Sequence, residues 1–471
     1  MAFKAKLGFI PCHRQPFDEK WAAQIRRRTI AALRKIKALE LVVPSEETTP
    51  SGVVRGPADV EPVKKLFREE NVDGVLIGCM TFGDENSAVS LAASLKHDAA
   101  LMYKPVLVFP TKEPPFTKAG GRSSDAFCGC LSITSQLVIK EIPFESLSPV
   151  FPEEKAFTEA ADSFARACVA VKRFVGARIG RVGTHPHNFF TCAVNEREMY
   201  RRYGQRVLSL DPALLYHNAE AIEDRDRKVK NVVAALKRGC HVSVPEAVLV
   251  RIAKYEIALE QWLDENQVEV LGVQCWPVVE PVYGIAPCTA MSRLTSRGKL
   301  AACEVDLNGA LSMALQYAAA LGQVPPHFID WTANHPEDPN KFLAWHCGNA
   351  PHELAADGRV DINIHFIMSR AVGTEIATGC SWMQLRPGAV TLARLVEVGG
   401  EYRLVIARGE LSDEPLRTHG SGGWVSVPNL PALYGELQQN GFVHHASLIH
   451  DDHVDALRMA AKFLGIKATI M

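Results

Sequence analysis

The chain has 471 residues, 47% hydrophobic and 22% charged, the balance of an ordinary globular protein with room for two or three separate cores. A formal net charge of −1 excludes a general attraction to nucleic acid or to an anionic membrane surface, because the average field pulls neither polyanion in. No apolar run reaches the ~20 residues of a membrane span, and the opening MAFKAKLGFIPCHR lacks the long apolar core of a signal peptide.

Residues 1–177 alternate short apolar runs (KLGFIP, LELVVP, GVLIGCM, PVLVFP) with helix-periodic stretches such as EKWAAQIRRRTIAALRKI. That alternation predicts parallel βαβ units in an N-terminal α/β domain, closed by the helical FPEEKAFTEAADSFARACVAVKRFVG. The first strand-to-helix turn has no G-x-G-x-x-G, so no dinucleotide cofactor is expected. A second α/β round, residues 178–321, runs through RIGRVG, QRVLSLD, VEVLGVQCW and LAACE. Its basic stretch DRDRKVKNVVAALKRG reads as the solvated face of a helix rather than as a polyanion site.

From residue 322 the texture turns β-rich: DINIHF, GAVTLARLVEV and YRLVIARGEL, with GGE between Val398 and Tyr402 as a hairpin signal. An antiparallel sheet or barrel is expected over 322–471, ending in the helix VDALRMAAKFLGI. The HGSGGW segment, His419 to Trp424, reads as a flexible loop, and HDDH before the last helix as capping acids. The fold class predicted is therefore α/β, with two consecutive Rossmann-like α/β domains followed by a β-rich C-terminal domain. The 12 cysteines are scattered through apolar strings such as IGCM, AACE and ATGCSW, and Cys128 and Cys130 are too close for a zinc CxxC pair. A reducing, cytoplasmic setting follows.

The stretch with most chemical content is ACEVDLNGALSMAL. Glu304 ends an apolar strand and stands two residues before Asp306, a good helix N-cap. A carboxylate at a strand-to-helix junction can point into a crevice. Asp330, in HFIDW, lies at a second such junction, and FVHHASLIH supplies histidines. Two carboxylates and an imidazole suit a hard or borderline divalent cation, while surface or capping acids are the plain alternative.

These strings resemble the metal-site segments of the L-fucose isomerase and L-arabinose isomerase family. The likeness extends loosely over nearly the whole chain, through LGFIPCHRQPFDE, DGVLIGCM, RIGRVGTHPHNFF and GVQCW. It implies that Glu304, Asp330 and His445 hold the metal, most often manganese, and that Glu304 and Asp330 are the catalytic acid–base pair. It places Gln274 at a substrate-contacting strand end, with Trp276 beside it as an indole that can cover an apolar sugar face. Where fucose isomerases carry a substrate-contacting Asn this chain has His444, a departure that points to a different sugar. His346, in AWHCGNAP, fits a further histidine of the arabinose branch, as ligand or substrate contact. The chain is shorter than typical fucose isomerases, so its C-terminal domain is expected to be trimmed.

The resemblance thus implies a metal-dependent aldose–ketose isomerase of a free sugar or sugar analogue. It also implies a homo-oligomer with pockets near subunit interfaces, to which Arg14 and Asp125 are candidates to contribute. Two other readings stay open at this level. One is an epimerase or dehydratase using the same ligands. The other is a sugar-binding protein without catalysis.

Overall fold

Each apolar run near the start of the chain is followed by a helix long enough to carry the chain back across a sheet, so the strands that result are parallel. A computed structural model describes residues 3–116 and 118–471. Its strands β1 (Ala5–Cys12), β2 (Leu39–Val42), β3 (Gly74–Cys79), β4 (Val106–Pro110) and β5 (Glu145–Ser146) form one parallel sheet in the order β2-β1-β3-β4-β5. Every residue of β3 and β4 is buried, as expected of strands covered on both faces. The helix Glu19–Leu33 starts where Asp18 accepts from the backbone N–H groups of Lys20 and Trp21. The described residues up to Val175, with Asp455–Gly465, which includes most of the last helix (Val454–Phe463), make one compact unit; Gly176–Val454 with Ile466–Met471 make another.

The second unit contains two sheets. One is parallel and takes β6 (Arg178–Val182) and β7 (Arg206–Leu210); the chain then leaves it for the short β8 (His241–Val242) before returning for β9 (Val270–Val273) and β10 (Leu300–Cys303). The order β10-β9-β6-β7 puts the change of winding direction between β6 and β9, where open α/β sheets form a crevice beyond the strand ends. Gln274, Trp276 and Glu304 all follow immediately on the carboxyl ends of strands in this sheet.

The other sheet is mixed and has ten strands. It comprises β8, β11 (His327–Asn334), β12 (Lys341–His346), β13 (Asp361–Ile364), β14 (Thr378–Gln384), β15 (Gly388–Val398), β16 (Glu401–Leu411), β17 (Ser421–Ser426), β18 (His445–His450) and β19 (Lys467–Ile470). Six of them, β16-β15-β18-β11-β12-β17, pair antiparallel in sequence, and β17 pairs back with β16, so the ring closes into a barrel. Its interior holds Ile329, Phe342, Ala344, Leu392, Val405, Val425 and Leu448, all buried. The hairpin is formed as expected: Val398 pairs with Glu401 around Gly399 and Gly400, at φ +62° and +87°, the pair of positive dihedrals a two-residue turn requires. The HGSGGW segment is not a flexible loop from Ser421 onward. It is strand β17, and its glycines serve close approach, since a Cβ on Gly422 would lie 2.4 Å from the Ala344 carbonyl oxygen.

Candidate active site

Between the end of β10 and the helix Leu307–Ala319 the backbone makes an unusual turn. Glu304 and Val305 are both left-handed, at φ +55° and +56°. For a β-branched residue this conformation costs on the order of 1–2 kcal/mol, so its surroundings must hold it. They do: Val305 N–H donates to the Val273 carbonyl, Asp306 N–H to the Cys303 carbonyl, and Val305 is buried. The turn leaves the Glu304 side chain enclosed, 6% of the residue exposed, instead of in solvent. Trp276 Nε1–H donates to Glu304 Oε1 at 3.0 Å, and the Cys275 thiol donates to the same oxygen at 3.7 Å.

The barrel brings the other groups. Asp330 on β11 and His445 on β18 are direct antiparallel partners, which sets their Cβ atoms roughly 5 Å apart whatever their side chains do. His445 Nε2 lies 2.9 Å from Glu304 Oε2 and 3.7 Å from Asp330 Oδ1. His346, the last residue of β12, has its Nε2 3.9 Å from Glu304 Oε2. His445 Nδ1 lies 2.8 Å from Asp306 Oδ2. Asp306 does cap its helix, accepting from Gly309 N–H at 2.8 Å, but it is also gripped through both oxygens by the buried Arg394 guanidinium.

Phe189 stands edge-on to Trp276 and to His444, with centroids 5.5 and 5.1 Å away, and makes an aromatic wall beside His445. Gln274 spans the β6/β9 crevice: its Oε1 accepts from Thr184 N–H at 3.1 Å, and its NH2 has no hydrogen-bond partner among the described residues.

The electrostatics separate the two carboxylates. Burial alone would push the Glu304 carboxyl up, but His445, His346 and the Trp276 N–H outweigh it and hold it at about 2. Burial pushes Asp330 up to about 7; the Glu304 charge adds to this and His445 opposes it. The two carboxylates thus differ in how readily each gives up its proton. Burial lowers His346 to about 4, and the neighbouring His445 charge pushes the same way, so its ring is neutral and can act as a ligand. Burial also opposes a charge on His445, yet its contacts with Asp306, Cys192 and Glu304 raise it well above the usual histidine range.

Two buried carboxylate oxygens, Glu304 Oε2 and Asp330 Oδ1, receive no aligned hydrogen bond. Their near neighbours are imidazole nitrogens, and buried acceptors this short of donors suit a cation. Ligand atoms of Glu304, His346 and His445 all lie within 4.8 Å of one another, as do those of Asp330, His444 and His445. Cys275 and Cys303 are also within that distance of Glu304. A hydrogen bond with Cys303 draws the Cys275 thiol down, but burial leaves it at about 12, protonated and a poor ligand.

The structure therefore brings Glu304, Asp330, His445, His346 and Trp276 together, with His444 at the exposed edge of the group and Gln274 a strand away. Arg14 and Asp125 belong to the first unit, where Arg14 covers the Phe82 ring and Asp125 pairs with Arg122. Sequence reasoning missed Phe189, which carries no signal of its own. It also missed Arg394, whose signal is visible in retrospect: a lone cation inside the apolar strand GAVTLARLVEV needs a buried partner.

Residues 8–175 match the fucose/sulfoquinovose isomerase N-terminal domain, and residues 344–471 match the L-fucose isomerase C-terminal domain. A sulfoquinovose isomerase of Alkalicoccus urumqiensis is 27% identical over 365 residues, 77% of this chain and 79% of that protein. One from Priestia aryabhattai is 24% identical over 467 residues, 98% of each chain. One from Clostridium sp. (strain MSTE9) is 26% identical over 381 residues, 78% of this chain and 80% of that protein.

Proposed function

This chain is an isomerase of the fucose isomerase-like family, and from that premise we propose that it is a metal-dependent aldose–ketose isomerase of a free sugar, with sulfoquinovose the first substrate to try. The substrate choice rests on the name shared by relatives that align along 98% of the chain. The observation that carries the metal reading is the pair of buried oxygens on Glu304 and Asp330 that face His445 Nε2 and take no aligned hydrogen bond from any other group.

Glu304, Asp330 and His445 would hold the cation, His445 being the residue common to the Glu304–His346–His445 and Asp330–His444–His445 clusters. A bound divalent ion, Mn²⁺ on the family pattern, would supply Lewis acidity where charge builds on the sugar oxygens. The remaining work falls to the protein. One carboxylate takes the proton from C2 and returns it to C1, and the other moves the hydroxyl proton from O2 to O1. Trp276 keeps Glu304 Oε1 in place through its N–H and offers its ring face to the sugar. The Gln274 NH2 is a donor for a sugar hydroxyl, and His444 stands where the fucose isomerase pattern has Asn. The Phe189 wall limits access of water to the His445 side.

We read the enzyme as cytoplasmic, in keeping with twelve free cysteines, most of them buried, and as a homo-oligomer. No helix among the described residues is long and apolar enough to cross a membrane. The test is turnover of a panel of aldoses that includes sulfoquinovose, with Mn²⁺ supplied and products identified by NMR. A ketose product supports the reading. An epimer, a dehydrated product, or binding without turnover refutes it.

A further inference from the structure

The His445 ring separates two groups of possible metal ligands, and only one ring nitrogen can serve a cation. On the Nε2 side lie Glu304 Oε2 and Asp330 Oδ1, at 2.9 and 3.7 Å. On the Nδ1 side lies Asp306, which with Cys192 and the ring makes another possible ligand set. The two sides differ in what their oxygens already accept. Asp306 Oδ1 takes Gly309 N–H at 2.8 Å and Arg394 Nη2–H at 3.0 Å; Oδ2 takes Arg394 Nη1–H and the His445 ring. Four donors fill all four lone-pair positions of that carboxylate. Glu304 Oε2 and Asp330 Oδ1 face imidazole nitrogens and accept no aligned hydrogen bond.

We infer that Asp306, clamped by Arg394, is a positioning residue that keeps the His445 proton on Nδ1 and turns the Nε2 lone pair toward Glu304 and Asp330. The inference rests on the metal-site reading and adds what decides the side on which the metal sits. A ligating imidazole commonly donates its other N–H to a carboxylate, which fixes both tautomer and ring orientation. Arg394 does a second thing. It has no exposed surface, and its planar fork pairs with Asp306 through two N–H groups, cancelling that charge. With the ring neutral and both carboxylates ionised, as ligands must be, the charge left is that of Glu304 and Asp330, which one divalent cation balances.

Asparagine at 306 cannot reproduce this. With its oxygen toward His445, its NH2 meets the N–H donors of Arg394 and Gly309. With its NH2 toward His445, it donates to Nδ1 and moves the ring proton to Nε2, where it blocks the cation.

The test uses the full-length protein. Mn²⁺ affinity, followed by the EPR signal of the free ion, should weaken ~10–100-fold in Asp306→Asn and in Arg394→Lys relative to the wild type. Excess Mn²⁺ should restore kcat with the sugar KM unchanged, which a merely structural lesion would not allow. A measurement that needs no variant is ¹⁵N-histidine NMR of the Mg²⁺-loaded wild type, where His445 should carry its proton on Nδ1. It decides the matter if either variant fails to fold. Mn²⁺ affinity within ~2-fold of the wild type in both variants, or a His445 proton on Nε2, overturns the inference. A wild type that holds no divalent ion overturns the metal reading itself.

Discussion

Glu304→Gln removes one charge from an enclosed site while keeping shape, and the structure says where each replacement atom goes. Oε1 already accepts the Trp276 N–H at 3.0 Å, a bond an amide oxygen keeps. The new NH2 falls where Oε2 stood, 2.9 Å from His445 Nε2, and can donate to its lone pair. The fold exchanges one charge-assisted contact for a neutral hydrogen bond, a net cost of about 1 kcal/mol. Function should suffer far more, because the same atom is metal ligand and proton carrier. A loss of at least ~100-fold in kcat is expected, equal to about 2.7 kcal/mol of barrier. The assay is steady-state isomerisation with Mn²⁺ in excess, alongside thermal melting and Mn²⁺ titration of the same preparation. A variant that binds Mn²⁺ like the wild type and turns over within ~10-fold of it would refute the assignment. Activity lost only together with the fold would point to the Trp276 contact instead of chemistry.

Chelator-treated enzyme should lose activity and recover it with Mn²⁺, more weakly with Co²⁺ or Mg²⁺, since the proposed site has two carboxylates and imidazole; full turnover in metal-free protein would contradict this. Glu280 is fully buried, neither of its oxygens is hydrogen-bonded, and burial pushes its carboxyl from 4.5 to about 7. In that window the native state keeps a proton the unfolded chain has released, so stability should fall as pH rises from about 4.5 to about 7, by at most about 3 kcal/mol. Urea unfolding at about pH 5 and about pH 8 should show this slope in the wild type and a flatter one in Glu280→Gln; equal slopes would refute it. Sedimentation at assay concentration should find a symmetric homo-oligomer, and a lone active monomer would contradict that.

The parallel sheets were legible because buried parallel strands write themselves as unbroken apolar runs, as VLVFP and GVLIGC do. The hairpin was legible because two positive dihedrals demand Gly399 and Gly400. β5 and β19, of two and four residues, are too short to leave a periodic trace. HGSGGW was misread because glycine signals both freedom and crowding, and only the neighbouring Ala344 carbonyl distinguishes them. At the site, Glu304 stood out as a carboxylate at a strand-to-helix junction. Its association with His445 has no local signature, because the two belong to different sheets of the second unit. Asp306 looked like a cap, which it is. Its second role depends on Arg394, 88 residues away, and on His445, 139 residues away, and no reading of neighbours along the chain supplies either.

The closed barrel has a consequence for how such an enzyme can diverge. Asp330 and His445 face each other as rungs of a ladder in a ring without free edges, so their separation is a property of strand register. To alter it, a strand must slip against two neighbours at once, which would turn every core side chain outward. Gln274, His444 and the segment around Thr184 and Phe189 lie outside that ladder, at strand ends and in loops. Substitutions there can reshape the sugar pocket while the gauge that spaces the two donors stays fixed. Divergence in substrate among relatives of this fold is therefore expected to be written at strand ends, with the ladder itself left unedited.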